Sequence, residues 1–274
     1  MSKSLIINAD DYGFTPGVSR GIRQAHLDGI VTSTTAMMNM PGAESALRDA
    51  MALTPNLGLG VHLTLTAGRP LLSADKVRTL VDAQGQFLRP AGLAARGATI
   101  DLEHVRAEWR AQIDLFCAAV GHAPDHLDGH HHTPYELPGV FPIMLELAAA
   151  YGCPVRSPLP DVDGDSSGGD AARAALLAQA RALMETHRVR HPDHMSTAFY
   201  NETATVDHLL HILRNLKAGV TEIMTHPGYV DEVLLSISSY THPREREIQV
   251  LTDPVVKAAL QELDIRLVNF GNLP

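Results

Sequence analysis

Residues 4–11 read SLIINADD, an apolar and partly β-branched run that ends in two carboxylates. The run predicts a buried strand over Ser4–Ala9, with Asp10 and Asp11 directly behind it. The next segment, Pro16–Asp28, has a helical pattern with a proline near its start and a glycine just past its end, which is the usual punctuation of a helix. A buried strand followed by a helix is the repeating unit of α/β folds.

The same unit recurs along the whole chain. Further strands are predicted at Val31–Met38, Leu57–Leu65, Asp125–Gly129, Pro154–Ser157, Asp193–Thr197, Val220–Thr225 and Arg266–Asn269. Further helices are predicted at Ala43–Leu53, Leu102–Val120, Pro138–Tyr151, Ala171–Thr186, Val206–Leu216 and Pro254–Leu263. Residues 68–100 show no clean period and are interpreted as a surface excursion, and residues 161–169 as a loop rich in Asp, Gly and Ser.

Seven or eight alternating units predict a parallel sheet covered by helices. The first strand is not followed by a G-x-G-x-x-G motif, which favours a barrel over a dinucleotide-binding sheet. We therefore expect an α/β fold, a distorted (β/α)7–8 TIM-like barrel, that forms a single domain over residues 1–274.

Composition narrows the classes of function. The net charge of −9, from 22 basic and 31 acidic residues, argues against nucleic acid or an anionic membrane as a partner. No apolar run approaches the ~20 residues that cross a bilayer, and the strand pattern at residues 3–8 leaves no room for a targeting segment. Cys117 and Cys153 form no C-x-x-C pattern and are interpreted as reduced thiols. We expect a cytoplasmic protein.

Carboxylates and imidazoles accompany four of the predicted strands. Asp10 and Asp11 follow the first strand, His62 lies within the third, DGHHH at residues 128–132 ends the fourth, and His226 follows Val220–Thr225. Catalytic groups of barrel enzymes lie at the C-terminal ends of the strands. The four groups are therefore predicted to share one site.

Each of these groups also has a structural interpretation. The paired aspartates could cap the following helix, the third-strand histidine alone is more often a hydrogen-bonded core residue, and the histidine of the THPG turn could cap that turn. In an extended run of three histidines the first and third face one way, so at most two share a site. Two histidines and a carboxylate form a common hydrolytic metal shell, which polarises a carbonyl group.

Several of these segments resemble the YdjC-like carbohydrate deacetylase family, which includes chitooligosaccharide deacetylases. The similarity rests on NADDYG at residues 8–13, VTSTTA at 31–36, GVHLTL at 60–65, HLDGHHH at 126–132, STAFY at 196–200, His226-Pro227 and the stretch 239–252. It spans nearly the whole chain in the order expected for the family.

The resemblance implies a distorted barrel that holds one divalent metal ion through Asp11, His62 and His130. Mg²⁺ is the usual ion of the family, and Zn²⁺ or another transition metal is the alternative. Similarity to the broader NodB-type deacetylases implies Asp10 as general base and His226 as general acid. A small carbohydrate substrate and a homodimer are implied as well.

The implied reaction is hydrolysis of the acetamide of an N-acetylated sugar, which gives acetate and a free amino sugar. Two positions depart from the family pattern: Gly129 stands where serine is usual, and Pro134 where a further histidine is common. A preference for chitobiose-type sugars therefore does not follow from the resemblance. Hydrogen bonds and ring stacking to the sugar are predicted for Arg69, Arg156, Tyr200, Tyr229 and Arg244.

Two other functions compete with this one. A phosphoesterase or sugar isomerase on a similar barrel would favour a backbone phosphate cradle or clustered basic residues, and the sequence has neither near the predicted ligands. A non-catalytic metal-binding or sugar-binding protein would fit the loss of Asp10 or His226, and both residues are present.

Overall fold

The computed structural model describes residues 2–157 and 171–273. Within them the strands are β1 (Lys3–Tyr12), β2 (Ser33–Ala36), β3 (Gly58–Leu63), β4 (Leu127–Gly129), β5 (His194–Ser196), β6 (Gly219–Thr225) and β7 (Ile265–Leu267). The α-helices are α1 (Pro16–Leu27), α2 (Ala43–Leu53), α3 (Pro90–Arg96), α4 (Leu102–Val120), α5 (Thr133–Glu136), α6 (Phe141–Tyr151), α7 (Ala171–His187), α8 (Val206–Arg214), α9 (Glu232–Ile237), α10 (His242–Leu251) and α11 (Pro254–Glu262). The loop predicted over residues 161–169 lies outside the described residues.

The strands form one parallel sheet in the order β4-β3-β2-β1-β6-β5. β1 lies in the middle and pairs with β6 along Lys3–Ala9. Its other edge is shared, because β7 pairs with Lys3–Leu5 and β2 pairs with Asn8–Tyr12. The long first strand therefore contacts three neighbours and carries its last residues to the C-terminal end of the sheet.

Single backbone hydrogen bonds lead from β4, through residues 154–156, to the segment that precedes β5. The Leu127 N–H donates to the Pro154 carbonyl at 3.0 Å, and the Arg156 N–H donates to the Leu127 carbonyl at 3.0 Å. Between them, the Val155 N–H donates to the carbonyl of Arg190 at 2.9 Å, shortly before β5 begins. The sheet thus curls into a barrel that is joined by isolated bonds, instead of a full ladder, between β4 and β5.

The side chains of β1 alternate between two different environments. Leu5 belongs to the main apolar core, whereas Ile6 packs in a separate small cluster that includes Phe270. By the two-residue period of a strand, Asn8 and Asp10 lie on the same side as Ile6. This inner surface is therefore apolar near the start of the strand and polar near its end.

The predicted fold class, an α/β distorted barrel, is confirmed. Helices α2 and α4 begin and end at the predicted residues. β1 extends beyond the predicted Ser4–Ala9 and includes both aspartates. The strand predicted at Pro154–Ser157 is reduced to one bridge between Val155 and Leu127.

Three helices, α5, α9 and α10, lie where no element was predicted, and α3 lies in the excursion over residues 68–100. α10 contains a run of arginine and glutamate, and its buried residues include Arg244 and Glu247. Since these buried positions are charged, the segment lacks the apolar periodicity from which helices are predicted. No helix in the described ranges is both long and apolar enough to span a bilayer.

Candidate active site

Three side chains from three strands bring ligand atoms together at the C-terminal end of the sheet. Asp11 lies near the end of β1, His62 on β3, and His130 directly after β4. Asp11 Oδ1 is 3.4 Å from His62 Nε2 and 3.1 Å from His130 Nδ1. The two ring nitrogens are 3.3 Å apart. The three atoms therefore form a nearly equilateral triangle between buried residues.

This triangle has the dimensions of a metal site. Bonds of about 2.0–2.2 Å that meet at about 90–110° separate ligand atoms by about 2.8–3.6 Å, and all three measured separations fall in that range. Asp11 Oδ1 is buried without a hydrogen-bond partner among the described residues, a condition that a cation would relieve. The three residues thus fit a divalent ion. Two imidazoles and one carboxylate are ligands that suit zinc and related transition metals.

Asp128 orients the imidazole of His62, one of the three side chains of the triangle. The register of β3 and β4 places His62 opposite Asp128, and His62 Nδ1 lies 2.7 Å from Asp128 Oδ1. Thr35 Oγ1 donates to the other carboxylate oxygen at 3.0 Å. A carboxylate on the outer nitrogen directs the inner nitrogen at a metal. Burial opposes the charged imidazolium, but Asp128 raises the pKa of His62 to about 10.

Asp10 is held as a carboxylate by two parallel hydrogen bonds. Arg156 Nη1 donates to Asp10 Oδ2 at 2.8 Å, and Nη2 donates to Oδ1 at 2.6 Å. Asn8 Nδ2 donates to Oδ1 at 2.8 Å. Burial opposes ionisation, but the guanidinium beside it holds the pKa of Asp10 below its usual value. Asp10 is therefore ionised at neutral pH, as a general base must be.

Arg156 contacts carboxylates on three different strands. Besides binding Asp10, its Nη1 lies 3.0 Å from Asp128 Oδ2, and its Nε donates a hydrogen bond to Glu222 Oε1 at 2.7 Å. Its side chain is fully buried. This position leaves no surface for a sugar, so the predicted sugar contact by Arg156 has to be replaced by a role in holding Asp10.

Asp11 reaches the triangle because the backbone of β1 is irregular at its end. The pairing with β2 shifts register between Ala9 and Tyr12, and Asp11 has a left-handed φ of 71°, a conformation that is strained for a residue with a side chain. Arg244 Nη2 donates to Asp11 Oδ2 at 2.7 Å. Burial opposes ionisation, but Arg244 and His130 hold the pKa of Asp11 well below its usual range.

His226 lies beside Asp10, near the carboxylate oxygen to which Asn8 does not donate. Its Nε2 is 3.9 Å from Asp10 Oδ2, and its backbone N–H donates to Glu247 Oε2. Burial lowers the pKa of His226 to about 4, although Asp10 acts in the other direction. The imidazole is therefore neutral at pH 7 and can carry a proton only after receiving one.

The run of three histidines is not extended. His131 and His132 have left-handed φ angles of 54° and 55°, so the alternation expected of a strand does not apply to them. His130 alone contributes to the ligand triangle. His131 packs on it with ring centroids 3.9 Å apart, and Thr66 Oγ1 lies 2.9 Å from His131 Nδ1.

Comparison with known proteins identifies the family. The model of the family described as YdjC-like protein matches residues 4–262. The chain belongs to the YdjC-like family. A carbohydrate deacetylase of Thermoanaerobacter pseudethanolicus is 37% identical over 271 residues, which are 99% of each chain. A chitooligosaccharide deacetylase of Yersinia enterocolitica is 32% identical over 99% of this chain and 100% of its own. The family prediction made from the sequence is confirmed.

Two solved structures share the fold of this chain. A protein of Enterococcus faecalis, provisionally described as a cellobiose-phosphate cleavage protein, superposes with a TM-score of 0.87 at 36% identity over 98% of each chain. A family 4 carbohydrate esterase from Streptomyces lividans has a TM-score of 0.51 at 10% identity, over 97% of this chain and 91% of its own. The second similarity shows a shared fold.

The two departures from the YdjC-like pattern contact each other. A Cβ atom added to Gly129 would lie 2.3 Å from Cγ and 2.4 Å from Cδ of Pro134. Such distances are far below van der Waals contact, so a side chain at position 129 is incompatible with the proline ring in its present place. The glycine and the proline are therefore a matched pair.

The other residues predicted to contact the sugar are dispersed. Tyr200 stacks on Tyr240 with ring centroids 4.4 Å apart and meets the His226 ring edge-on at 5.6 Å. Arg244 is bound to Asp11, as described above. Tyr229 lies instead under Arg20 of α1, whose Cζ is 5.8 Å from its ring. Arg69 is exposed on the excursion between β3 and α4.

Sequence reasoning did not assign site roles to Asp128, Glu222, Tyr240 or Glu247. Asp128 was detectable, since it lies two residues before His130 on a strand and therefore on the same face. Glu222 also gave a signal, because a glutamate inside a buried strand requires a partner. Tyr240 and Glu247 lie in the stretch 239–252 that resembles the family, but no element was predicted there and neither residue received a role.

Proposed function

We propose that this YdjC-like protein is a metal-dependent hydrolase that removes the acetyl group from an N-acetylated sugar. The observation that carries the proposal is the convergence of three potential metal-ligand atoms, within 3.4 Å of one another, beside the buried Asp10 and the partly buried His226. The names of the full-length relatives, carbohydrate deacetylase and chitooligosaccharide deacetylase, support the reaction class.

Asp11, His62 and His130 would hold the ion. A divalent cation there supplies Lewis acidity, which polarises the acetyl carbonyl and stabilises charge on its oxygen. The ligand types favour Zn²⁺ or another transition metal, and Mg²⁺ is the alternative that the family resemblance implies. Arg244 would keep Asp11 oriented toward the ion, and Asp128 would do the same for His62.

Asp10 and His226 would move the protons of the reaction. Asp10 is ionised and accepts the proton of the attacking water. The neutral imidazole of His226, 3.9 Å from Asp10 Oδ2, then receives this proton and delivers it to the departing amine nitrogen. Proton transfer matters here because an amide nitrogen is a poor leaving group when it departs as an anion.

A sugar ring would lie against Tyr200. This tyrosine is 43% exposed, so one face of its ring is open while the other stacks on Tyr240. Exposed aromatic rings with a fixed orientation are suited to apolar ring faces of sugars. Among the described residues, neither Arg69 nor Tyr229 has a hydrogen bond or ring contact with Tyr200, and the proposed subsite does not include them.

The test is an assay of acetate release from N-acetylglucosamine oligomers, di-N-acetylchitobiose among them. The wild-type protein should release acetate, a chelator should abolish this, and added Zn²⁺ or Mg²⁺ should restore it. Asp10→Asn should lower kcat by ~10²–10⁴-fold, because a general base of this kind typically contributes that factor, with metal still bound. His62→Ala should lose both metal and turnover.

Asp207→Asn, at an exposed position on α8, is the matched control for Asp10→Asn and should behave as wild type. Near-normal kcat in Asp10→Asn would contradict the proposed base. Acetate release that persists in chelator, with no metal in the protein, would contradict the metal dependence.

A phosphoesterase finds less support at this site. Phosphate recognition needs free arginine or lysine groups or a backbone cradle. Among the described residues, Arg156 and Arg244 reach the site: Arg156 is fully engaged by carboxylates, and Arg244 binds Asp11 and leaves only its buried Nη1 without a partner. We further propose, from the family resemblance, that the protein is a homodimer and is cytoplasmic. Light scattering of the purified protein tests the homodimer, and fractionation of the cells that make it tests the location.

A further inference from the structure

Glu222 is a buried carboxylate in the middle of β6 for which the proposed reaction has no direct use. It is fully buried, and its partner in the register with β1 is the apolar Ile6. Its Oε1 accepts a hydrogen bond from Arg156 Nε at 2.7 Å. Its Oε2 has no hydrogen-bond partner among the described residues. The hydrogen bond from Arg156 is therefore the one that this carboxylate accepts among the described residues.

This bond fixes the orientation of the whole guanidinium group. A guanidinium is planar and rigid, so holding Nε determines where both terminal nitrogens lie. In Arg156 these two nitrogens make the pair of bonds to Asp10, at 2.8 and 2.6 Å. Rotation of the group about its long axis would break that pair of bonds even if Arg156 remained charged and buried.

We propose that Glu222 is a positioning residue for the reaction, which holds Arg156 so that its terminal nitrogens fix the carboxylate of Asp10. This inference rests on the proposed role of Asp10 as the base. Glu222 does not touch the substrate and acts through Arg156 alone. A general base must lie within hydrogen-bond reach of the proton it accepts, so a displaced Asp10 carboxylate lowers the rate of the chemical step.

A purely stabilising role fits Glu222 poorly. Asp10 and Asp128 already contact Arg156 with two carboxylates, so its single positive charge is compensated without a third. Burial raises the pKa of Glu222 to about 7, which shows that the ionised form is disfavoured in this place. An apolar residue of similar volume often stabilises a protein relative to such a buried polar group.

Three substitutions separate geometry from charge. Glu222→Gln keeps an oxygen acceptor for Arg156 Nε and removes the charge. Glu222→Asp keeps the charge and withdraws the acceptor by about 1.5 Å, the length of one carbon–carbon bond. Glu222→Met removes both and keeps the volume. Each is compared with wild type in kcat and KM for di-N-acetylchitobiose, in zinc affinity by calorimetry, and in melting temperature.

If hydrogen-bond geometry matters, Glu222→Gln keeps kcat within about threefold of wild type, and Glu222→Asp loses about tenfold or more, the usual effect of losing an outer partner of an active-site group. Glu222→Met loses as much as Glu222→Asp without a lower melting temperature. KM and zinc affinity stay near the wild-type values in all three. If Glu222→Met does not fold, the contrast between Gln and Asp still decides.

An active Asp variant with an inactive Gln variant would show that charge matters and would overturn the proposal. Wild-type kcat in both the Asp and the Gln variant, or a loss of kcat in both, would overturn it as well. Crystal structures of wild type and Glu222→Asp give a readout that needs no turnover, since the two bonds from Arg156 to Asp10 should be lost in the variant. If these bonds change as expected but wild type releases no acetate, the proposed reaction fails and the positioning by Glu222 stands.

Discussion

Asp10 and Asp11 are adjacent in sequence, yet each carboxylate has its own arginine. Arg156 binds the first and Arg244 the second. Two carboxylates so close together would normally raise the pKa of one of them, but here both pKa values lie below the usual range. The site can therefore keep one carboxylate ionised for the metal and the other ionised for the proton at the same pH.

The first prediction concerns the proton on His62. Asp128 raises the pKa of His62 to about 10 against the effect of burial, so the metal-free protein holds this imidazole protonated at pH 7. A metal ligand must be deprotonated. Metal binding should thus release about one proton, and the apparent affinity should rise about tenfold per pH unit below pH ~10. Calorimetric titration with ZnCl₂ in two buffers of different ionisation enthalpy measures the released proton.

Asp128→Asn is the informative variant for this measurement. It removes the charge that keeps His62 protonated, so fewer protons should leave on binding and the pH dependence should be shallower. Equal proton release by wild type and variant, or none by wild type, would contradict the assignment of the proton to His62.

At the residue scale, the convergence of the candidate ligands was predictable from the sequence, and the groups that hold them in place were not. Asp11, His62 and His130 each follow or end a strand pattern, which is local information. Arg156 is different, because its partners lie at positions 10, 128 and 222 on three strands. No local pattern contains that set, and an arginine near a predicted site is naturally interpreted as a contact for substrate.

The second prediction belongs to the turn that carries the ligand His130. Serine at position 129 would place its Cβ within 2.4 Å of the Pro134 ring. Gly129→Ser should therefore destabilise the protein by about 1–3 kcal/mol, the typical cost of an overpacked core position. Replacing Pro134 by histidine in the same chain removes the ring and should recover most of that loss. Urea unfolding of the two single variants and the double variant measures the coupling.

The coupling between the two positions should be positive and about 0.5–3 kcal/mol, as for residues in contact. Gly42→Ser serves as a control for glycine replacement, because a Cβ there comes no nearer than 4.0 Å to its neighbours and the φ of Gly42, like that of Gly129, is negative. Additive effects of the substitutions at 129 and 134 would contradict a matched pair.

At the scale of elements, helices with an apolar stripe were predictable and α10 was not. The ends of α4 coincide with the prediction because Asp101 caps its start and Gly121 adopts a left-handed conformation at its end. α10 instead buries Arg244 against Asp11, while Glu247 accepts the Tyr240 hydroxyl. Its burial depends on partners elsewhere in the chain, which sequence periodicity does not contain.

For the whole molecule, the alternation of strands and helices was enough to predict the barrel. The same alternation did not predict how the sheet is joined between β4 and β5. The bridges through Val155 are single hydrogen bonds, and a four-residue strand pattern looks the same whether it forms one bridge or a ladder. The predicted convergence of strand ends did not depend on that detail, because parallel strands that start at one end of a sheet all finish at the other.

The last prediction follows from where the ligands lie in the sheet. Asp11, His62 and His130 come from β1, β3 and β4, so a bound ion connects strands from the middle of the sheet to its end, and unfolding must release it. An ion at 100 times its Kd stabilises the folded state by about 2.7 kcal/mol, which should raise Tm by roughly 5–10 °C in a chain of this size. Thermal melts with Zn²⁺, Mg²⁺ and chelator measure the shift and rank the ions. His130→Ala should lose the shift, whereas His211→Ala, on the exposed side of α8, should keep it. A shift of equal size in His130→Ala would mean that the ion binds elsewhere, and no shift with any divalent ion would mean that the triangle does not bind one.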